Sequence, residues 1–304
     1  MPNVSKRPAI LVFPGGGYAG CSDREAEPVA LAYLAEGYNA FVLRYTTGRG
    51  RTDNVPALAL EDAQAALAMI RGNTEEWDLV DGQVAVVGFS AGGHLAASLG
   101  TLSDSKPDAL ILGYPAVADN MLEQMGMSGP SVIDAVSGDT PPSFIFHTRN
   151  DSVVPIENAL LFTGALETAG VEFEMHIFRE GPHGFSLAKP LTSSGQERFA
   201  NPILAQWFGL SIDWLHAIWG DFAADIDIAN GRSGTYQGVT KSPLGVLQLH
   251  EDIWADIERE LPEVAEAASQ MTTVKEMSLS QLAGHSPEAI SAEILQRLDE
   301  KYPE

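Results

Sequence analysis

A G-x-S-x-G turn at residues 88–92 stands directly between the apolar run 84–87 and a helical pattern. A strand that turns this sharply into a helix strains the backbone of its central residue and leaves little room for neighbouring side chains. Gly88 and Gly92 meet that requirement. Ser90 is therefore expected above one edge of a sheet, at a helix N-terminus that favours a developing negative charge. The alternative is an incidental serine in a glycine-rich turn.

The first 219 residues alternate short apolar runs with helical patterns, which is typical of an α/β fold with a parallel sheet between helices. The runs predict six strands, at residues 9–13, 39–44, 84–87, 109–112, 143–147 and 172–177. Helices are predicted at residues 25–36, 57–71, 93–102, 157–169 and about 202–219. The stretches 116–139 and 184–201 break this rhythm, and they predict loops over the ligand-binding edge of the sheet.

The pattern changes after residue 219, which predicts a catalytic domain at 1–219 and an acidic, mainly helical extension at 220–304. The extension holds six Lys and Arg against 16 Asp and Glu, so it carries −10 of the net charge of −23. Its clearest helix starts with Ser286 as N-cap, Pro287 and Glu288. That helix carries an apolar stripe of Ile290, Ile294, Leu295 and Leu298. The stripe predicts either a homo-oligomer or a lid-like element packed on the same chain.

Charge and composition exclude several classes of protein. A net charge of −23 repels phosphate backbones and anionic lipid headgroups, so neither nucleic acid nor a membrane is an expected partner. Cys21 is the only cysteine, and the sequence contains neither a CxxC nor an HExxH motif, so no metal site is expected. Residues 1–8 lack the apolar run of a secretion signal, and no apolar stretch reaches about 18 residues. The sequence predicts a cytoplasmic protein.

A serine hydroxyl becomes a strong nucleophile only when a base takes its proton, so Ser90 requires a histidine and an acid. His183 is the best candidate base, because it lies on a loop directly after a predicted strand. Asp151 ends another predicted strand in a polar turn, where a carboxylate can accept the imidazole N–H and fix its tautomer. Asp119 and Glu157 are weaker candidates for the acid. The remaining histidines are expected in packed elements or in the extension: His94, His147, His176, His216, His250 and His285.

The first predicted strand ends in three glycines that let backbone N–H groups converge on one point. The N–H groups of Gly16 and Gly17, with that of Ala91, are expected to form an oxyanion hole. The segment 15–20 also fits the G-x-G-x-x-G pattern of a dinucleotide site, which Arg44 could complete at a 2′-phosphate. However, that alternative leaves Ser90 unexplained, and Arg44 stands where an acidic ribose ligand is usual.

Several motifs follow one another in order: PGGGY at 14–18, GFSAGGHLAAS at 88–98, the segment 140–155 with its Asp and Val-Pro, and GPHGF at 181–185. With them the chain resembles the α/β-hydrolase acetyl-esterase family, which includes acetyl-xylan and feruloyl esterases, over roughly residues 8–219. The resemblance implies an α/β-hydrolase fold. The chain departs from the family pattern in one respect: the one or two N-terminal antiparallel strands usual in such hydrolases are expected to be short or absent. The extension weakly resembles the helical extension of some family 3 glycoside hydrolases. The triad that the resemblance implies is Ser90, Asp151 and His183, with oxyanion donors at Gly16, Gly17 and Ala91.

The predicted function is that of a serine carboxylesterase that needs no cofactor and hydrolyses small acyl esters, such as acetylated xylo-oligosaccharides, through an acyl-enzyme. Tyr18, Tyr114 and Pro115 lie near predicted strand ends and are expected to line the pocket, with ordinary packing as the alternative. A formamidase or a small peptidase would use the same triad. A binding or scaffold protein on a hydrolase fold is the non-enzymatic alternative.

Overall fold

The structure, a computed structural model, describes residues 6–48, 54–220, 226–227, 232–233, 238–248, 250–285 and 290–302. The chain divides into two compact units, Met1–Gly220 and Asp221–Glu304. Each unit buries a hydrophobic core of its own.

A six-stranded sheet forms the centre of the first unit. Its strands are β1 (Arg7–Phe13), β2 (Asn39–Val42), β3 (Leu79–Phe89), β4 (Ala109–Gly113), β5 (Ser143–Thr148) and β6 (Phe173–Phe178). They pair in the order β2-β1-β3-β4-β5-β6, and every pair is parallel. The strand order reverses between β1 and β3, so a crevice for a ligand is expected beyond the carboxyl ends of these two strands. The predicted parallel sheet is confirmed.

Helices connect the strands. The first unit contains α1 (Glu27–Ala35), α2 (Val55–Gly72), α3 (Ala91–Thr101), α4 (Asp119–Gln124), α5 (Glu157–Ala169) and α6 (Gln206–Trp219). All of α3 is buried. This helix is rich in Ala and Gly, and a Cβ at Gly88 of β3 would stand only 2.7 Å from the Cβ of Ala96. Small residues therefore let the helix that follows Ser90 lie close against the sheet.

Among the α-helices and strands of the first unit, three departures from the sequence prediction exceed two residues. Strand β3 begins at Leu79, five residues early, and its pairing with β1 shifts register between Arg7 and Ala9. Helix α6 begins at Gln206, because the Asn201 side chain accepts the N–H groups of Ile203 and Leu204 and holds that segment as a turn. The short helix α4 lies within the stretch 116–139 that was predicted as a loop.

An aromatic cluster supports the loop that follows β6. The Trp207 indole stacks on the ring of Phe146 with centroids 4.2 Å apart, and its Nε1–H donates to the Ser186 carbonyl at 2.9 Å. Phe185 packs against Phe146 and Tyr114. Because all of these rings are fully buried, the loop that carries His183 rests on a rigid base.

The second unit is mainly helical. It contains α7 (Leu244–Leu247), α8 (Glu251–Glu260), α9 (Pro262–Gln270), α10 (Thr272–Lys275), α11 (Leu279–His285) and α12 (Ala292–Lys301), with a short antiparallel pair of β7 (Ile226–Asp227) and β8 (Arg232–Ser233). The predicted start at Ser286, Pro287 and Glu288 lies outside the described residues. Helix α12 begins after Ser291, whose side chain accepts the Ile294 N–H.

The apolar stripe predicted for the last helix packs inside the second unit. Ile290 and Leu298 are buried in its core, and Ile294 and Leu295 are partly buried against the same cluster. Because packing within the unit explains the apolar residues of the stripe, the structure offers no separate evidence for a homo-oligomer formed through it. That homo-oligomer stays a prediction. Within the described segments, no helix combines the length and the apolar character that a membrane span requires.

Candidate active site

Ser90 occupies a strained turn between β3 and α3. Its φ of 53° lies in the left-handed region, and its ψ is −117°. A Cβ on Gly88 would meet the Gly92 carbonyl oxygen at 2.3 Å, and a Cβ on Gly92 would meet the Phe13 carbonyl oxygen at 2.2 Å. Larger residues at either position would force the backbones apart. The two glycines therefore let this turn form, with Ser90 at its apex.

The three residues predicted as a triad meet in one hydrogen-bonded chain. His183 Nε2 lies 2.9 Å from Ser90 Oγ, and His183 Nδ1 lies 2.7 Å from Asp151 Oδ2. Ser90 follows β3, Asp151 follows β5 and His183 follows β6, so parallel strands bring all three to the same edge of the sheet. The imidazole can take the Ser90 proton through Nε2 while Asp151 holds the proton on Nδ1.

Asp151 is held in place from two sides. Its Oδ1 accepts the N–H groups of Val153 at 2.9 Å and Val154 at 3.0 Å, while Oδ2 faces His183. Burial opposes ionisation of this carboxyl, but the His147 and His183 rings and the Val154 N–H outweigh that effect and hold its pKa well below the usual range. The carboxylate is thus charged and fixed beside the imidazole.

His147 was expected to be a packed residue, and its ring is fully buried on β5. Its Nε2 lies 3.0 Å from the Val154 carbonyl oxygen and 3.6 Å from Asp151 Oδ2. A hydrogen bond donated by Nε2–H to Val154 holds the turn in which Asp151 is fixed. His147 therefore supports Asp151 in two ways, through the backbone turn and through the closeness of its ring to the carboxylate.

The glycines after β1 adopt the tight conformation expected of an oxyanion loop. Gly16 has φ 138°, and a Cβ there would stand 2.1 Å from the Gly20 carbonyl oxygen. In the part of the chain that the structure describes, the backbone N–H groups of Gly16, Gly17 and Ala91 donate to no protein acceptor. These three N–H groups are thus available to a ligand.

The three residues predicted to line the pocket are all buried. Tyr18 and Tyr114 have no exposed surface. Pro115 is buried close to Gly93 of α3, since a Cβ added to Gly93 would lie only 2.9 Å from Pro115. The pocket-lining prediction is corrected for Tyr18 and Tyr114, whose side chains have no free surface for a substrate, and for Pro115 it stays a prediction. Tyr114 nevertheless contacts the site from behind, because its ring lies edge-on to that of His183 with centroids 5.0 Å apart.

Tyr18 and His94 form a buried pair below the oxyanion loop. The Tyr18 hydroxyl lies 2.7 Å from His94 Nδ1, and burial raises the pKa of that hydroxyl, so it stays protonated. A buried hydroxyl requires an acceptor, so Tyr18 donates to Nδ1 and the imidazole proton is on Nε2. Burial lowers the pKa of His94 to about 4, against the opposing charge of Asp119. His94 and Asp119 line a cavity of about 170 Å³, together with Glu123 and Ser131.

Glu25 is a buried residue at the site that the sequence prediction missed. It lies in a 3₁₀ turn, Asp23–Glu25, and is only 4% exposed. One carboxylate oxygen accepts the Gly15 N–H at 3.0 Å, and the other accepts the Tyr114 hydroxyl at 2.6 Å. An acidic residue in the first turn of a predicted helix normally faces water, so the sequence pattern contained no signal for its burial.

The alternative site assignments lack support from the geometry. The Arg44 guanidinium, considered for a 2′-phosphate, is bound by Asp23 at 2.8 Å and Glu27 at 2.7 Å. Asp119 and Glu157, the weaker acids, lie at the N-terminal ends of α4 and α5, and Asp151 occupies the position beside His183.

Known proteins resemble the first unit. The profile of the BD-FAE family matches residues 1–112, and that of the prolyl oligopeptidase family matches residues 102–200. An α/β-hydrolase enzyme from a Medee basin deep-sea metagenome library is 42% identical, with a TM-score of 0.66, over 72% of this chain and 87% of that one. An acetyl ester-xyloside bifunctional hydrolase from Caldicellulosiruptor lactoaceticus is 33% identical, with a TM-score of 0.62, over 72% of this chain and 86% of that one.

Curated relatives are longer proteins. An acetylxylan esterase from Xylanibacter ruminicola is 29% identical over 61% of this chain and 42% of its own length. The chain spans from 34% to 52% of the length of the curated relatives it matches. The two structural relatives, by contrast, are covered over more than four-fifths of their length at more than 30% identity. The chain belongs to the α/β-hydrolase acetyl-esterase family.

Proposed function

We propose that the protein is a serine carboxylesterase that removes small acyl groups, acetyl in particular, from sugar esters. The observation that carries the proposal is the continuous chain from Ser90 Oγ through both nitrogens of His183 to the charged Asp151. A hydroxyl, a base and a fixed carboxylate in this order are the components that acyl transfer requires.

In the proposed reaction His183 Nε2 takes the Ser90 proton as Oγ attacks the ester carbonyl. The carbonyl oxygen becomes an oxyanion, which the N–H groups of Gly16, Gly17 and Ala91 stabilise. Collapse of the intermediate breaks the bond to the alcohol, which leaves with the proton from His183. Water then attacks the acyl carbon as His183 takes its proton, the bond between the acyl carbon and Ser90 Oγ breaks, and the acid is released as His183 returns the proton to Oγ.

Three observations support a small acyl group on a sugar. The relatives include an acetylxylan esterase and an acetyl ester-xyloside hydrolase, whose names indicate acetylated saccharides as their substrates. A Cβ on Gly17 would lie 3.8 Å from Met125 Sδ, so the residue that ends α4 lies next to the oxyanion loop, where a small acyl group needs the least room. The lining of the cavity beside His94 combines two carboxylates and two serine hydroxyls with apolar side chains, and its polar groups can hydrogen-bond a polyhydroxylated ligand.

The decisive test compares wild-type protein with the Ser90→Ala variant on p-nitrophenyl acetate. We expect turnover to fall to the background rate, because the acyl-enzyme cannot form. Ser105→Ala, which removes the same hydroxyl at an exposed position, is the matched control and should leave turnover unchanged. Equal turnover by wild type and Ser90→Ala would refute the esterase proposal.

A panel of substrates then identifies the class of ester or amide. Acetylated xylo-oligosaccharides are expected to give the highest kcat/KM. The match to the prolyl oligopeptidase family over residues 102–200 supports a peptidase as the second candidate. Higher rates on prolyl amides would favour that candidate, and higher rates on N-formylkynurenine would favour a formamidase. No turnover of any member of the panel would leave a binding protein as the better proposal.

A further inference from the structure

The loops that carry the two halves of the catalytic machinery meet at one buried carboxylate. Glu25 lies between the oxyanion loop, which follows β1, and the loop that follows β6 and carries His183. The reaction proposed above gives Glu25 no chemical step. A charged residue that is 4% exposed is uncommon unless its hydrogen bonds are satisfied.

Both oxygens of Glu25 are engaged, one directly with the oxyanion loop and the other, through the Tyr114 hydroxyl, with the loop that carries His183. Oε2 accepts the N–H of Gly15, the residue before the oxyanion donor Gly16. Oε1 accepts the Tyr114 hydroxyl, and that hydroxyl in turn accepts the Ser186 N–H at 3.0 Å. Ser186 lies three residues after His183, and the Tyr114 ring contacts the imidazole directly.

Arg24, the preceding residue, extends the same connection. Its Nη2 donates to the Gly184 carbonyl at 2.9 Å, and its Nε donates to the Thr192 carbonyl. The Arg24 carbonyl accepts the Ser186 hydroxyl. Two consecutive residues of one short turn therefore bind the backbone on both sides of Ser186 and the backbone of the oxyanion loop.

We propose that Glu25 is a positioning residue that holds the oxyanion loop and the His183 loop at the separation that acyl transfer at Ser90 requires. The inference rests on the proposed reaction, because the geometry that Glu25 holds is the one required when Ser90 attacks the ester carbonyl. Glu25 acts through Gly15 on the oxyanion donors and through Tyr114 on the base. It touches neither the reacting ester nor the proton that His183 transfers.

The chemistry of the site requires a carboxylate here. Gly15 N–H and Tyr114 O–H are both donors, and an ionised carboxylate offers an acceptor oxygen to each. A glutamine of the same shape has one acceptor oxygen and one NH2 group, so one of the two loops would face a donor instead of an acceptor. Loss of that bond would let one loop shift, and a shift of about 1 Å in a catalytic group can cost about 100-fold in rate.

The test uses Glu25→Gln and Tyr114→Phe, with Glu27→Gln as the matched control. Glu27 undergoes the same change two residues along the chain, but its side chain is exposed and pairs with Arg44 at the surface. Tyr114→Phe keeps the ring beside His183 and removes only the hydroxyl that donates a hydrogen bond to Glu25. It provides a second, independent variant if Glu25→Gln does not fold.

Two readouts separate positioning from a general loss of stability. The first is kcat and KM for p-nitrophenyl acetate per active site, with active sites counted by a fluorophosphonate. The second is the rate at which Ser90 reacts with that fluorophosphonate: the Oγ–P bond forms, the P–F bond breaks and His183 takes the proton. We expect both variants to lower kcat and the labelling rate by about 10- to 100-fold, with KM changed less than about threefold.

Coupling between the variants provides a further criterion. The double variant of Glu25→Gln and Tyr114→Phe should lose little more than either single variant, because both break the same chain of hydrogen bonds. Glu27→Gln should match the wild type in both readouts. Unchanged kcat per active site with fewer active sites would show a purely structural role and overturn the inference.

The labelling rate also distinguishes this inference from the proposed function. If wild-type protein failed to hydrolyse acetyl esters but reacted with the fluorophosphonate, the esterase proposal would fail and the role of Glu25 would still be measured. If both substitutions left the labelling rate at the wild-type value, the role of Glu25 would be refuted whatever the substrate.

Discussion

Asp151→Asn should abolish most of the activity by placing the imidazole proton on the wrong nitrogen. In the wild type, Oδ1 of Asp151 accepts two backbone N–H groups, from Val153 and Val154. The asparagine oxygen must keep that position, because the reversed amide would place its NH2 group against two donors. The NH2 group therefore faces His183 Nδ1, 2.7 Å from the position of Oδ2.

A donor at that position reverses the role of the ring. Nδ1 must then accept, so the proton moves to Nε2, and Nε2–H faces Ser90 as a donor that cannot take its proton. Loss of the base through the wrong tautomer costs about 10⁴-fold in kcat in a serine protease. At about 1.4 kcal/mol per tenfold change, this is about 5 kcal/mol of transition-state stabilisation.

Steady-state hydrolysis of p-nitrophenyl acetate measures the loss, and NMR of ¹⁵N-labelled histidine reports which nitrogen of His183 carries the proton. Asp139→Asn makes the same change at an exposed residue and should leave both readouts unchanged. A folded Asp151→Asn variant that kept a tenth or more of the wild-type kcat would refute the reasoning about the tautomer.

Two further predictions concern stability and assembly. Burial depresses the pKa of His94 from 6.5 to about 4, so the unfolded chain binds more protons between these pH values and stability falls as the pH is lowered through them. Protonation of His94 alone would lower the free energy of unfolding by about 3 kcal/mol between pH 7 and pH 4. Urea unfolding should show a smaller decrease over this pH range for His94→Gln than for the wild type, and equal decreases would contradict the prediction. A chain truncated after Trp219 should have a smaller oligomer mass by light scattering if the extension forms a homo-oligomer, and an unchanged association state would remove that prediction.

The parallel sheet was predictable because strands buried on both faces are continuous apolar runs. β1, β4 and β5 are buried over almost their whole length, and their predicted bounds differ from the structure by no more than two residues. The start of β3 was not predictable, because Asp81 and Gly82 are typical turn residues. In the structure they lie within the strand, where pairing with β1 shifts register.

The three residues proposed for catalysis were predictable because each follows a strand and has the required side chain. The observed positions of Glu25 and Tyr114 were not predicted, for two different reasons. Glu25 reaches the site only through the fold of the 3₁₀ turn before α1, which local sequence does not specify. Tyr114 was placed correctly at a strand end, but its direction depends on a φ of 37°, and that backbone turns the ring into the interior.

Ser90 and His183 are 93 positions apart, and they meet only when β3, β4, β5 and β6 are all paired. A nascent chain that has left the ribosome as far as α3 has the nucleophile but no base. Under the proposed mechanism, such a chain is inactive until the loop after β6 has been synthesised and docked. If Ser90 and His183 act as proposed, reactivity of Ser90 toward a fluorophosphonate during translation would report when this half of the sheet is complete.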